Sequence, residues 1–306
     1  RVVCDLHPDY LSTRFALEFS QEHQLPVLQV QHHHAHLASV IAENHLPVDE
    51  QVIGLCFDGT GYGTDGKIWG GEVLVGNCLG YQRYAHLAYQ PLPGGDAAIH
   101  HPARIALAYL WNEMIDWNEH TSLVDSNLCN ADRTILLAQL QNSINTPQTS
   151  SMGRLFDAVS ALAGICAETS YEAQAAILLE VAANPAATGR YPLPLKAGVW
   201  EIEPLLQGII ADLYQNVSKA EIAGKFHNSI ALAAIEVCEA VRSQSGCSAA
   251  ALSGGVWLNR LLLRKTVSGL ESKGFTVLTH HQVPSNDGGL SLGQAWIAAN
   301  AKFTGK

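Results

Sequence analysis

Between residues 51 and 89 three β-prone runs follow one another, QVIGLCFDG, KIWGGEVLVG and LGYQRYAHLAY, separated by Gly, Asp and Asn turn residues. Such runs predict a meander of antiparallel hairpins, which restricts the fold more tightly than any other stretch of the chain. The meander sits inside a strand-helix rhythm. VVC (residues 2–4) and PVLQV (26–30) read as short strands, and Leu11, Phe15 and Phe19, four apart, mark a helix face between them, with Asp9 near its start. A second helix is expected from about His33 to Asn44, with Leu37, Val40 and Ile41 on its apolar side.

From about residue 102 to 245 the pattern becomes mostly helical, in Ala- and Leu-rich blocks such as ARIALAYLWNEM, ADRTILLAQLQNSI and GRLFDAVSALAGI. The tail returns to alternation: AALSGG and FTVLTH read as strands, VWLNRLLLRKTVSGLES and GGLSLGQAWIAAN as helices. The fold class is therefore α/β. The pattern falls into a segment over residues 1–46 and a segment over 51–306 that carries the helical insertion.

At 306 residues the chain is long enough to bury a core without staples. Its 18 Lys+Arg against 28 Asp+Glu give a formal net charge of −10, which speaks against a nucleic-acid-coating protein. No apolar run approaches the ~20 residues that span a bilayer. The seven cysteines are scattered, odd in number and never spaced CxxC, so neither a disulfide framework nor a zinc ribbon is expected. The first residues, RVVCDLHPDY, lack the order of a secretory signal, so the expected location is cytoplasmic; without an initiator methionine they suggest an excised fragment.

Val30-Gln31-His32-His33-His34-Ala35-His36 lies where a strand gives way to a helix. Residues four apart share a helix face, so His32 and His36 can present imidazoles to one ion while His34 points elsewhere. A solvated polyhistidine run at a helix start accounts for the spacing equally well. Two imidazoles want a hard anionic partner, and Asp58 and Asp287 each follow a β-run and enter a glycine turn. Each aspartate can equally be a turn or helix cap.

FDGTGYGTDG lies between strands, so it is neither a Walker loop nor a dinucleotide fingerprint. The amides of Gly59, Gly61 and Gly63 can still form an anion-binding nest, with Thr60 and Thr64 adding hydroxyls. Ser253-Gly254-Gly255 passes from strand to helix and can face a nucleotide. Asp96 and Arg104, after a Pro-Gly turn, can line a cleft or be a cap and a surface group.

HHHAH, FDGTGYG, WGGE, PLPGGDAA, GRLFDAVSALAG, SYEAQAA, SGGVWLNRLL and NDGGLSLGQ, in this order and from end to end of the chain, resemble the C-terminal part of the carbamoyltransferases that mature nickel-iron hydrogenases. That part is similar to tRNA threonylcarbamoyl-adenosine transferases and antibiotic O-carbamoyltransferases, which share an actin/Hsp70-like ATPase fold. The resemblance implies two α/β halves around a nucleotide cleft, the first truncated at its N-terminus. It implies one divalent metal, iron or zinc, on His32, His36, Asp58 and Asp287, and ATP or carbamoyl adenylate against Gly59, Thr60, Gly61, Gly63, Ser253, Gly254, Gly255 and Asn259. Gly153 and Asp157 are expected to flank that nucleotide, and Asp58, Asp96 and Arg104 to serve the reaction.

The activity implied is transfer of a carbamoyl group from carbamoyl adenylate to the C-terminal cysteine of a partner maturation protein. Carbamoyl phosphate would enter through other domains of the full-length relatives, and neither nucleic acid nor membrane is an expected partner. The competing readings are a tRNA threonylcarbamoyl transferase, a metal-dependent hydrolase in which His32, His36 and Asp58 activate water, and a non-catalytic nucleotide-binding fragment.

Overall fold

The structure is a computed structural model that describes residues 1–116 and 130–301. In chain order β1 (Val2–Asp5), α1 (Leu11–His23), β2 (Val27–Val30) and α2 (His32–Glu43) precede the meander β3 (Val52–Tyr62), β4 (Ile68–Asn77) and β5 (Gly80–Leu87). A helical stretch follows with α3 (Pro102–Asn112), α4 (Asn130–Asn142), α5 (Met152–Leu162), α6 (Gln174–Ala182), α7 (Glu203–Tyr214) and α8 (Lys219–Ser245). Among the described residues four two-residue strands accompany it, β6 (Gln90–Pro91), β7 (Gln148–Thr149), β8 (Leu195–Lys196) and β9 (Val199–Trp200). The chain ends with β10 (Ala249–Ser253), α9 (Arg260–Ser272), β11 (Thr276–Leu278) and α10 (Leu290–Asn300).

Contacts divide the described chain into two compact units. The first holds Arg1–His86, Cys238–Leu258 and the segment from Leu270 onward; the second holds Leu87–Val237 and Asn259–Gly269. This division differs from the expected break between residues 46 and 51, because segments on both sides of that break fold into the first unit.

In the first unit the strand order is β11-β10-β3-β4-β5. β11, β10 and β3 run parallel, whereas β3, β4 and β5 form the antiparallel meander. β1 and β2 make a separate parallel pair. Helix α2 lies between these layers, which is why it is buried from His32 to Ile41. Leu37, Val40 and Ile41 pack on Val52, Cys56, Leu74, Ala251 and Leu278 of the mixed sheet. Ala35 and Ala38 pack with Val30, Cys78 and Ile297. Each buried Leu, Ile or Val of this set contributes about 1.5–3 kcal/mol, so α2 is anchored on both sides.

Two details depart from the sequence reading. On α1 the apolar residues face outward, with Leu11 81% and Phe15 67% exposed, while Thr13, Ala16 and Ser20 face inward. The glycines Gly59 and Gly61 lie within β3 at a shift of register between Phe57 and Gly61, not in a turn; the turn itself runs from Gly63 to Lys67, closed by the Gly63 amide on the Lys67 carbonyl at 2.8 Å. The six described cysteines are free and buried, and no described helix is long and apolar enough to cross a membrane.

Candidate metal centre

Helix α2 starts at His32 because Gln31 caps it, its side-chain oxygen accepting from the His34 amide at 2.9 Å. The four-residue spacing then turns His32 and His36 the same way, with ring centroids 5.0 Å apart. Gly61 on β3 makes room for the rings, since a Cβ there would stand 2.5 Å from His33 Cε1 and 2.7 Å from His32 Cδ2. Asp58 comes from β3, three residues before that glycine. Asp287 opens a 3-10 turn, Asp287–Gly289, that leads into α10. Helix α10 approaches α2 so closely that a Cβ at Gly293 would overlap the Ala35 carbonyl, and this contact carries Asp287 towards the histidines.

One ligand atom from each of His32, His36, Asp58 and Asp287 lies within 4.8 Å of all the others. His36 Nε2 is 2.9 Å from Asp58 Oδ2 and 3.6 Å from Asp287 Oδ1. His32 Nε2 is 3.4 Å from Asp58 Oδ2 and 3.5 Å from Asp287 Oδ1, and this buried nitrogen makes no hydrogen bond. The Gly59 and Gly255 amides hold Asp58 Oδ1 at 2.8 and 3.0 Å, which leaves Oδ2 for the cluster.

Burial works against charge on His32 and His36, but the carboxylates of Asp287, Asp58 and, for His32, Asp5 outweigh it and raise both imidazoles, His32 well above its ordinary value. Burial likewise opposes ionisation of Asp58 and Asp287, yet the two histidines hold Asp58 well below the usual carboxylate range and Asp287 at about 2. Burial keeps His33 neutral, with the charge on His32 adding to it. Two imidazoles and two carboxylates gathered around an unpartnered buried nitrogen form a mixed N/O donor set that fits a divalent cation.

A family model for the HypF Kae1-like domain matches residues 1–43, and one described as carbamoyltransferase, Kae1-like domain, second subdomain, matches residues 54–294. The chain belongs to the HypF carbamoyltransferase family. Carbamoyltransferase HypF of Synechocystis sp. is 39% identical over 98% of this chain and 40% of its own length. A HypF homolog of Cupriavidus necator is 37% identical over 97% of this chain and 77% of its own length. Full-length HypF in a phosphate- and nucleotide-bound form superimposes with a TM-score of 0.89 at 40% identity, over 97% of this chain and 46% of that one. The chain spans about two-fifths of the length of the Synechocystis relative.

In this HypF-family chain the other expected site residues are distributed as follows. Gly59, Thr60, Gly61, Gly63, Ser253, Gly254 and Gly255 belong to the first unit with the cluster. Several of their amides already have acceptors: Gly59 and Gly255 on Asp58, Gly63 on Lys67 and Gly254 on the Ser285 carbonyl at 2.8 Å. Gly254 requires its lack of a side chain, with φ at +110° and a Cβ that would overlap the Phe57 carbonyl. Gly153, Asp157, Asn259 and Arg104 belong to the second unit. Asp157 pairs with Arg154 at 3.0 Å, and burial pushes its carboxyl up to about 6 although the guanidinium opposes this. Asn259 donates to His227 Nε2 at 2.9 Å, and Arg104 donates to Gln139 at 2.7 Å. The side chain of Asp96 lies outside the described residues.

Sequence reasoning missed Asp5. Its Oδ2 is 2.9 Å from His32 Nδ1 and its Oδ1 accepts from the His7 amide at 2.8 Å. The signal was available, since Asp5 ends a β-run just as Asp58 does. The hydroxyl of Ser253, expected on a nucleotide, lies 3.1 Å from His36 Nδ1.

Proposed function

We propose that this chain transfers a carbamoyl group from carbamoyl adenylate to the C-terminal cysteine of a partner hydrogenase-maturation protein, with one divalent ion, iron or zinc, held by His32, His36, Asp58 and Asp287. The observation that carries this reading is the convergence of those four ligand atoms around a buried His32 Nε2 that lacks any hydrogen bond. Membership of the HypF family supports the carbamoyl chemistry, and the nucleotide-bound neighbour supports an adenylate as donor. Synthesis of that adenylate from carbamoyl phosphate and ATP is assigned to other domains of the full-length relatives.

Carbamoyl adenylate is a mixed anhydride. The partner's thiolate attacks its carbonyl carbon, the C–S bond forms, the C–O bond to phosphate breaks, and AMP leaves with the electron pair; the thiol proton goes to solvent before attack. When bound, the cation supplies Lewis-acid polarisation or a clamp on phosphate. The chain's own residues do the positioning. Asp58 is oriented by the Gly59 and Gly255 amides, so its second oxygen stays directed at the cluster. The nucleotide phosphates are assigned a place beside Asp58, and Thr60 offers a hydroxyl on the same strand. Nucleotide contacts by Gly61, Gly63 and Ser253 form part of the same proposal.

The test supplies carbamoyl adenylate and the partner protein and follows the partner's terminal cysteine by mass spectrometry. Carbamoylation that requires metal and falls at least tenfold in Asp58→Asn is the expected result. Equal transfer by Asp58→Asn, or after complete chelation, would refute the assigned centre.

A further inference from the structure

The geometry points to Ser253, His280 and Glu43 as a positioning relay that keeps a proton on Nδ1 of His36, so that an entering ion displaces the proton of Nε2 and takes the lone pair there. The inference rests on the metal reading above and deepens it. Helix α2 carries both ends of the relay, His36 and, two turns later on the same side, Glu43. Ser253 ends β10, and His280 follows β11 by two residues.

The contacts run without a gap from one end to the other. His36 Nδ1 is 3.1 Å from Ser253 Oγ, Ser253 Oγ is 3.0 Å from His280 Nε2, and His280 Nδ1 is 2.8 Å from Glu43 Oε2. Glu43 Oε1 accepts from the amides of His281 and Gln282. All four side chains are buried, His280 and Glu43 being 5% and 3% exposed, so bulk water does not substitute for any member.

The direction of each hydrogen bond follows from its neighbour. Glu43 accepts backbone amides and lies low in pKa, because those amides and His280 outweigh its burial; as a carboxylate it can only accept. His280 Nδ1 is therefore the donor. Burial lowers the His280 pKa, so the ring is neutral and its Nε2 is an acceptor. Ser253 must then give its single proton to His280; the Ser285 carbonyl, at 3.5 Å, does not compete. The Ser253 oxygen is left to accept from His36 Nδ1–H, so the nitrogen that gives up its proton to an entering ion is Nε2, which without the ion donates to Asp58 at 2.9 Å. Asp5 does the same for His32 by accepting from its Nδ1 at 2.9 Å. Both histidines are thus held with Nε2 directed at the site, one by a carboxylate directly and one through three side chains.

A relay that merely pins α2 to the strand ends would leave ring chemistry untouched, so the decisive measurement reads the ring. In zinc-loaded, 15N-labelled chain, long-range proton-nitrogen correlation should show His36 protonated at Nδ1 and ligated through Nε2. Ser253→Ala should weaken zinc binding by about 10–100-fold and mix the His36 nitrogen pattern; His280→Phe should act in the same direction, and Ser253→Thr should restore both readouts. Ligation of His36 through Nδ1, or unchanged zinc affinity in both Ser253→Ala and His280→Phe, would overturn the relay. The control is His36→Ala. If that variant binds zinc as the parent does, the metal reading itself fails; if it loses zinc while the relay variants do not, only the relay falls. Should the variants fail to fold, the His36 nitrogen pattern of the unmodified chain still decides.

Discussion

At the scale of single residues, Gly61 shows how a missing side chain can control a site. Its missing side chain is the space that the His32 and His33 rings occupy. Gly61→Ala would force a ligand histidine or strand β3 to move, at a cost of about 1–3 kcal/mol for overpacking. The expected outcome is a lower thermal midpoint together with at least tenfold weaker zinc binding by calorimetry; an alanine variant that binds zinc normally would show that the rings have room to spare. The histidine pair itself was legible in the sequence because i, i+4 geometry is local. The partners that orient it were not, since Asp5 is 27 residues from His32 and Ser253 is 217 residues from His36. No spacing rule reaches across such distances.

Secondary-structure elements were read well where a pattern repeats and poorly where a face had to be chosen. The meander and the strand-helix tail appear close to their expected positions, because alternation and glycine boundaries are local signals. Helix α1 formed where expected, yet Leu11 and Phe15 point outward and Thr13, Ala16 and Ser20 point inward: periodicity defines a stripe, and packing decides which side is covered. A sharper case joins α8 to α9 inside the second unit. Asn259 accepts from the Leu262 amide at the start of α9 while its side-chain nitrogen donates to His227 of α8. His227 Nδ1 donates to the Ala223 carbonyl, so Nε2 must stay unprotonated to accept. Burial lowers the His227 pKa to about 4, with Lys265 adding to the effect and the Ala223 carbonyl opposing it. Because the folded value lies below the unfolded one of about 6.5, stability is fully present above pH ~6.5 and is lost as pH falls through about 4. The loss amounts to about 3 kcal/mol, and urea midpoints at pH 7 and pH 4 should reveal it. In His227→Gln, whose side-chain oxygen can still accept from Asn259, that difference should shrink; an unchanged pH slope would place the acid sensitivity elsewhere.

For the whole molecule, the arrangement of the two units was not legible, because each is assembled from segments that return after long excursions: the first from three stretches, the second from Leu87–Val237 and Asn259–Gly269. Net charge, by contrast, is read directly from the sequence and bears on the choice of acceptor. At −10 the chain repels a polyphosphate, whereas RNA binding draws its affinity from Lys and Arg that displace counterions. A protein thiolate also outcompetes a hydroxyl as nucleophile near neutral pH. These 306 residues should therefore carbamoylate a cysteine-bearing acceptor when given carbamoyl adenylate, and should leave tRNA unmodified when given the threonylcarbamoyl counterpart. With carbamoyl phosphate and ATP as the only donors, no labelled adenylate should accumulate, because the proposed function assigns adenylate synthesis to other domains of the full-length relatives. Radiolabelled carbamoyl phosphate followed by thin-layer chromatography, beside nucleoside analysis of the tRNA, separates the outcomes. Adenylate formed by the chain itself would move the synthetic step into these residues, and modified tRNA would move the acceptor from thiol to nucleic acid.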